Sequence, residues 1–111
     1  MTTHSQKGQI AQLQVLSQLM LDARLADLHA ASRLRAESLA RLEALAAPAV
    51  ATDLSDLAAA EVGLRYQRWA DQRRAEINLT LARQTADWIE KRATAARAFG
   101  QTEALKAVQR R

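Results

Sequence analysis

Pro48 stands almost alone between two long stretches that hold nothing else to stop a helix for most of their length. Proline lacks an amide hydrogen, and its ring pushes the preceding residue out of the α region. The segment Ala46-Ala47-Pro48-Ala49-Val50-Ala51-Thr52-Asp53 is therefore where the chain must turn. Folding it there lays a helix over about 4–46 against a second over about 53–109, with the turn at 47–52. The expectation is an all-α single domain over 1–111, two long antiparallel helices forming a coiled-coil hairpin.

Composition favours that shape over a compact bundle. A three- or four-helix core needs several breakers between helices, whereas these 111 residues include 3 Gly and 1 Pro. Strong helix formers dominate, and 25% charged residues with few aromatics is the profile of a long-helix protein. The absence of cysteine excludes a disulfide framework and a thiolate metal site, and suits a reducing cytoplasm. No apolar run approaches the roughly 18 residues that cross a bilayer. The polar start, Met1-Thr2-Thr3-His4-Ser5-Gln6, lacks a signal-peptide core. A soluble cytoplasmic protein is expected.

Helix one is predicted to start near Thr3 or Ser5, with Thr3 and Gln6 forming a capping box. Its apolar stripe runs Ile10, Leu13, Leu16, Met20, then Leu21, Leu25, Leu28, Leu39, Leu42 and Ala46. The slip at Met20–Leu21 reads as a stutter, and Ser32 and Arg35 interrupt the second stripe. Helix two is predicted to begin at Thr52 or Asp53, where Asp53 and Asp56 suit a helix N-terminus. Its stripe is Leu54, Leu57, Ala58, Val62, Tyr66, Trp69, Ile77, Leu81, Trp88, Ala95, Phe99 and Leu105. Pairs Arg33–Glu37, Glu37–Arg41, Glu61–Arg65, Arg83–Asp87 and Asp87–Lys91 have i,i+4 spacing. Gly63 permits a close helix contact or a bend. Gly100 either ends the helix or lies within it, and the spacing of Phe99, Thr102 and Leu105 favours continuation to about Gln109.

At 1.5 Å per residue helix one spans about 60–65 Å and helix two about 80–85 Å. Counted from the turn, helix two outruns its partner, so its C-terminal end is expected to project. That end is basic: of the net +4, residues 91–111 set six Lys and Arg against Glu103 alone. Two helices bury only one stripe against another, so a protein partner or homo-oligomer is expected to cover the rest.

The candidate partner-binding residues are the aromatics Tyr66, Trp69, Trp88 and Phe99, all on helix two, and the basic Arg97, Lys106, Arg110 and Arg111. Tryptophan and tyrosine deliver large contact area at low entropic cost; core packing is the competing explanation for the aromatics. Trp69 and Trp88 lie roughly 28 Å apart along a helix, too far to serve one small site. The basic end would neutralise phosphates, yet no helix-turn-helix, finger or aromatic-basic interleaving accompanies it, and nucleic acid is disfavoured. A solvated end that complements the helix dipole explains it as well. His4 and His29 have no second ligand at i+3 or i+4. No glycine-rich phosphate loop or nucleophile elbow occurs, so no enzyme, metal or cofactor is expected.

Three segments carry a family resemblance: Arg65-Tyr66-Gln67-Arg68-Trp69, Asn78-Leu79-Thr80-Leu81-Ala82, and Ala98-Phe99-Gly100-Gln101 before Ala104-Leu105. With the cysteine-free, unequal hairpin and Arg-rich second helix, they make the chain resemble the FliJ/YscO family. These are small stalk proteins of flagellar and type III secretion export machines. The resemblance implies a cytoplasmic rod, peripheral to the inner membrane through its partners, like the γ subunit of rotary ATPases. It would enter the pore of a hexameric export ATPase and link it to the export gate, with no part in ATP hydrolysis. A general homodimeric coiled-coil scaffold is the alternative, and a basic nucleic-acid-associated helical protein a third.

Overall fold

The computed structural model describes residues 4–46 and 55–111. The predicted turn at Pro48, Leu54 and the predicted caps Thr3, Thr52 and Asp53 lie outside them. The described residues form two helices, α1 (His4–Leu45) and α2 (Asp56–Gln109), with no strand among them. The fold is the all-α antiparallel hairpin expected from the sequence. It divides into two units, one of Met1–Ser32 with Ala86–Arg111 and one of Arg33–Thr85.

Local chemistry sets the helix ends. The amide of Ala46 donates to the Glu43 carbonyl at 3.1 Å, an i→i−3 bond that tightens the last turn of α1. At the start of α2, Ser55 Oγ accepts from the Ala58 amide at 3.3 Å, and its carbonyl accepts from Ala59 at 2.8 Å. Ser55 is thus the N-cap, a little later than the predicted start, and Asp56 puts negative charge in the first turn. α2 runs through Gly100 to Gln109, as the spacing of Phe99, Thr102 and Leu105 indicated.

The helices meet along stripes that coincide only in part with the predicted apolar ones. On α1 the buried and half-buried positions are Ile10, Gln14, Ser17, Leu21, Leu28, Ala31, Arg35, Ser38, Leu42 and Leu45. Their three-four alternation is unbroken if Arg24, which faces solvent, is counted, so the stutter predicted at Met20–Leu21 does not occur. Leu13, Leu16, Met20, Leu25, Leu39 and Ala46 lie outside the seam and are exposed. On α2 the same rhythm selects Ala70, Arg74, Ile77, Leu81, Gln84, Trp88, Lys91, Ala95, Ala98, Thr102 and Leu105. Of the predicted stripe, Leu57, Val62, Trp69 and Phe99 are exposed.

In the Arg33–Thr85 unit, Leu45, Ala70 and Ile77 form a core against which Leu42 and Tyr66 pack. Ser38, 1% exposed, donates to Gln84 Oε1 at 2.5 Å. Arg35 Nε donates to Thr85 Oγ1 at 3.2 Å, and Arg74 reaches the Leu45 carbonyl at 3.5 Å. As the number rises on α1 it falls on α2, which is the antiparallel register. In the unit of Met1–Ser32 with Ala86–Arg111, Leu21, Ala31, Ala95 and Ala98 are buried. There Ser17 Oγ lies 3.0 Å from Thr102 Oγ1.

This register overturns the expected basic overhang. With Ser17 level with Thr102, the end of α2 falls level with Ile10, and Lys7 and Ile10 share a surface groove with Val108, Gln109 and Arg111. The C-terminal end lies beside α1 and does not project. The surplus length of α2 falls at its other end: Arg74 is level with Leu45, the last residue of α1, so the first turns of α2 extend past it. Polar pairs in the seam set the register, which counting outward from the turn could not foresee.

Of the five predicted i,i+4 pairs, Asp87–Lys91 closes at 3.8 Å. The other ion pairs among the described residues are i,i+3: Arg24–Asp27, Arg73–Glu76, Asp71–Arg74 and Glu103–Lys106. All are surface pairs that add little to stability. Gly63 makes no close helix contact, since a Cβ there would meet nothing within 4 Å.

Candidate partner-binding surfaces

The four aromatics separate into two kinds. Tyr66 is half-buried against the Leu45–Ala70–Ile77 core, and Trp88 is half-buried with the Arg92 guanidinium 5.5 Å from its ring centroid. Both are anchored within the hairpin. Trp69 and Phe99 are 54% and 56% exposed. Within the Arg33–Thr85 unit, the Trp69 ring leans on Tyr66 at 5.7 Å between centroids, tilted by 43°. It also lines a shallow groove with Gln72, Arg73 and Glu76. A half-exposed indole, braced by a half-buried tyrosine and rimmed by paired charges, has the anatomy of a protein-contact anchor: an apolar centre with a polar rim.

The basic candidates are less concentrated than the charge count suggested. Arg97 is exposed and contacts Thr94 Oγ1 at 3.4 Å. Lys106 is half-buried, pairs with Glu103 at 3.3 Å, and lines a groove with Ala11, Gln14, Val15, Gln18 and Leu19. Arg110 and Arg111 are exposed, their amides bonded to Lys106 and Val108 carbonyls. Lys106 therefore belongs to an apolar surface as much as to a basic one.

Sequence reasoning missed the principal apolar surface, because it assigned Leu13, Leu16, Met20 and Leu25 to the seam and left Val15 and Leu19 unplaced. In the unit of Met1–Ser32 with Ala86–Arg111, Leu13, Val15, Leu16, Leu19, Met20 and Leu25 are all exposed. Between Ala11 and Ala26 the only charges are Asp22 and Arg24. The signal was present in this low charge density, which exceeds what one buried stripe requires.

Among the described residues, no cluster of His, Asp or Glu is placed to hold a metal ion, and no helix is long and apolar enough to cross a membrane. No family model matches the chain, and no curated protein or solved structure shows significant similarity to it.

Proposed function

We propose that this chain is a non-enzymatic coiled-coil adaptor, a helical rod whose outer faces engage protein partners in the cytoplasm. One observation carries the reading: the seam mixes leucine and isoleucine with alanine, serine, threonine and glutamine, while a larger set of big apolar side chains, Leu13, Leu16, Leu19, Met20, Trp69 and Phe99 among them, faces outward. A hairpin selected only for its own stability would bury its leucines, because burying each is worth about 1.5–3 kcal/mol. Exposed leucines and an exposed tryptophan in a chain with net charge +4 suit a surface that is covered by another protein.

The resemblance to FliJ/YscO stalk proteins supplies the partner class: a hexameric export ATPase and the export gate of a flagellar or type III secretion machine, reached peripherally at the inner membrane. The exposed Trp69 and Phe99, with Arg97, Arg110 and Arg111, are the side chains this reading assigns to contacts. The test is co-purification with the hexameric export ATPase encoded in the same genome, with turnover measured as the chain is added. Binding that strengthens at low salt and raises turnover is expected. No association at low salt, with the chain folded, would overturn the assignment to an export machine.

A further inference from the structure

We propose that the end of the hairpin where α1 starts and α2 finishes docks directly on an anionic phospholipid surface. The inference goes beyond the reading above: Trp69 and Phe99 stay with the protein partner, and the leucines near the start of α1 take lipid. It begins with the placement of acids. The chain has 12 Asp and Glu, yet none precedes Asp22 and none follows Glu103. The cations at this end are Lys7, Lys106, Arg110 and Arg111. Glu103, the acid beside them, pairs with Lys106 at 3.3 Å. A carboxylate on Arg111 would still leave this end positive.

These cations border apolar surface. Lys7 and Arg111 line one groove with Ile10 and Val108, and Lys106 lines another with Val15 and Leu19. Among the described residues, Lys7, Arg110 and Arg111 close no ion pair with an Asp or Glu. Aliphatic side chains next to free cations match the boundary between headgroups and acyl chains, where phosphates meet the charge and hydrocarbon meets the leucines.

Shape selects a bilayer over a partner helix. Leu13, Val15, Leu16, Leu19 and Met20 are 47–63% exposed. At 3.6 residues per turn they span an arc of about 160° around α1. A helix packed on a neighbour buries a stripe of roughly 100°, which would leave part of that arc in water. The bilayer boundary receives all of it. Charge argues against an acidic protein. A folded partner presents both signs and tolerates carboxylates on the docking face, whereas an anionic leaflet repels each one. The acids return at Asp22, and Asp27 engages Arg24 at 3.7 Å, so the contact is confined to the first turns of α1.

The test is co-sedimentation of the full chain with phosphatidylcholine vesicles, with and without phosphatidylglycerol. Binding is expected where phosphatidylglycerol is present, and it is expected to fall as salt rises. Lys7→Gln with Arg110→Gln and Arg111→Gln is expected to weaken it at least about tenfold. Leu16→Glu with Met20→Glu is expected to abolish it at unchanged helicity by circular dichroism. Because the chain has no native cysteine, Leu16→Cys gives one site for an environment-sensitive dye. Its emission is expected to move to shorter wavelength on the anionic vesicles. Leu79→Cys, on an exposed position of the other unit, is the control and is expected not to shift. This dye comparison keeps the proposal testable if the glutamate variant fails to fold. No binding to phosphatidylglycerol vesicles, equal binding to both vesicle types, or an equal shift at Leu79→Cys would each overturn it. So would a Leu16→Cys dye shielded without vesicles as the chain is concentrated, which would assign the face to a second copy. Equal shielding by polyglutamate would assign it to an acidic protein and would overturn the proposal too. No export ATPase enters these measurements, so their failure leaves the reading above standing.

Discussion

Ser17 and Thr102, 85 positions apart in sequence, are joined by a side-chain hydrogen bond of 3.0 Å across the hairpin. The Thr102 hydroxyl also donates to the Ala98 carbonyl at 3.1 Å. A hydroxyl has one hydrogen, so the hydrogen between the two residues belongs to Ser17. Thr102 is 1% exposed, and both of its polar roles are filled. Moving either helix by one turn would take the Ser17 hydroxyl away from its acceptor on α2, while Thr102 would keep the Ala98 carbonyl of its own helix. Polar layers in a helical seam stabilise less than leucine would, and they fix register.

The energetic asymmetry of that bond is measurable. Thr102→Val keeps the shape and removes the acceptor, leaving the Ser17 hydroxyl half-buried and unsatisfied. The expected loss is about 1–2 kcal/mol in urea unfolding. Combining it with Ser17→Ala removes both partners, so the double variant is expected to lose less than the two single losses added together. Additive losses would show that the bond contributes nothing.

The same pair reports the register directly. Replacing both residues, Ser17→Cys with Thr102→Cys, sets two thiols where the hydroxyls now touch, with no native cysteine to compete. An intramolecular disulfide is expected on oxidation, seen as faster migration on a non-reducing gel. Closing so long a loop is expected to stabilise the chain by up to about 4–5 kcal/mol in the chain-entropy account. If α2 instead projected beyond α1, this pair would stay reduced.

The helix content was legible in the sequence because breakers and strong helix formers act locally, and continuation through Gly100 followed from residues within two turns of it. The face of each helix was legible only in part: on α1, Ile10, Leu21, Leu28 and Leu42 lie in the seam as expected, while Leu13, Leu16, Met20, Leu25 and Leu39 do not. Periodicity locates a seam only when the seam holds the largest apolar side chains, and here Ser17, Ser38 and Thr102 hold positions that a hydrophobic pattern assigns elsewhere. Ile77, Leu81, Trp88, Ala95 and Leu105 were placed correctly because on that stretch the apolar stripe and the seam coincide. Trp69 and Phe99 were singled out as candidate contacts from residue type alone, and their exposure came from the same displacement that turned Leu13, Leu16 and Met20 outward. The register depended on pairs far apart in sequence, which no local pattern encodes.

Gly63 and Gly100 offer a test of the helix as such. Both are helical and exposed, and a Cβ at either would meet nothing within 4 Å. Neither has positive φ. Substituting Ala at each is therefore expected to raise stability by up to about 1 kcal/mol, through the difference in helix propensity. Thermal unfolding of Gly63→Ala, Gly100→Ala and the pair checks this. A destabilised variant would mean that the glycine serves a contact or a bend outside the hairpin's own packing.

Trp69 and Tyr66 touch, yet they are expected to respond differently to truncation. Tyr66 packs on the Leu45–Ala70–Ile77 core, so Tyr66→Ala is expected to destabilise by about 2 kcal/mol. Trp69 is more than half exposed and gives up chiefly its tilted contact with Tyr66, so Trp69→Ala is expected to lose about 1 kcal/mol or less. Fluorescence separates the two indoles. With Trp88→Phe, the remaining Trp69 emission is expected at long wavelength and readily quenched by acrylamide. With Trp69→Phe, the half-buried Trp88 is expected to be better shielded. If Trp69 anchors a partner, Trp69→Ala weakens that association by at least tenfold, or about 1.4 kcal/mol, while stability changes little. Equal loss of stability and binding would place Trp69 in the fold instead.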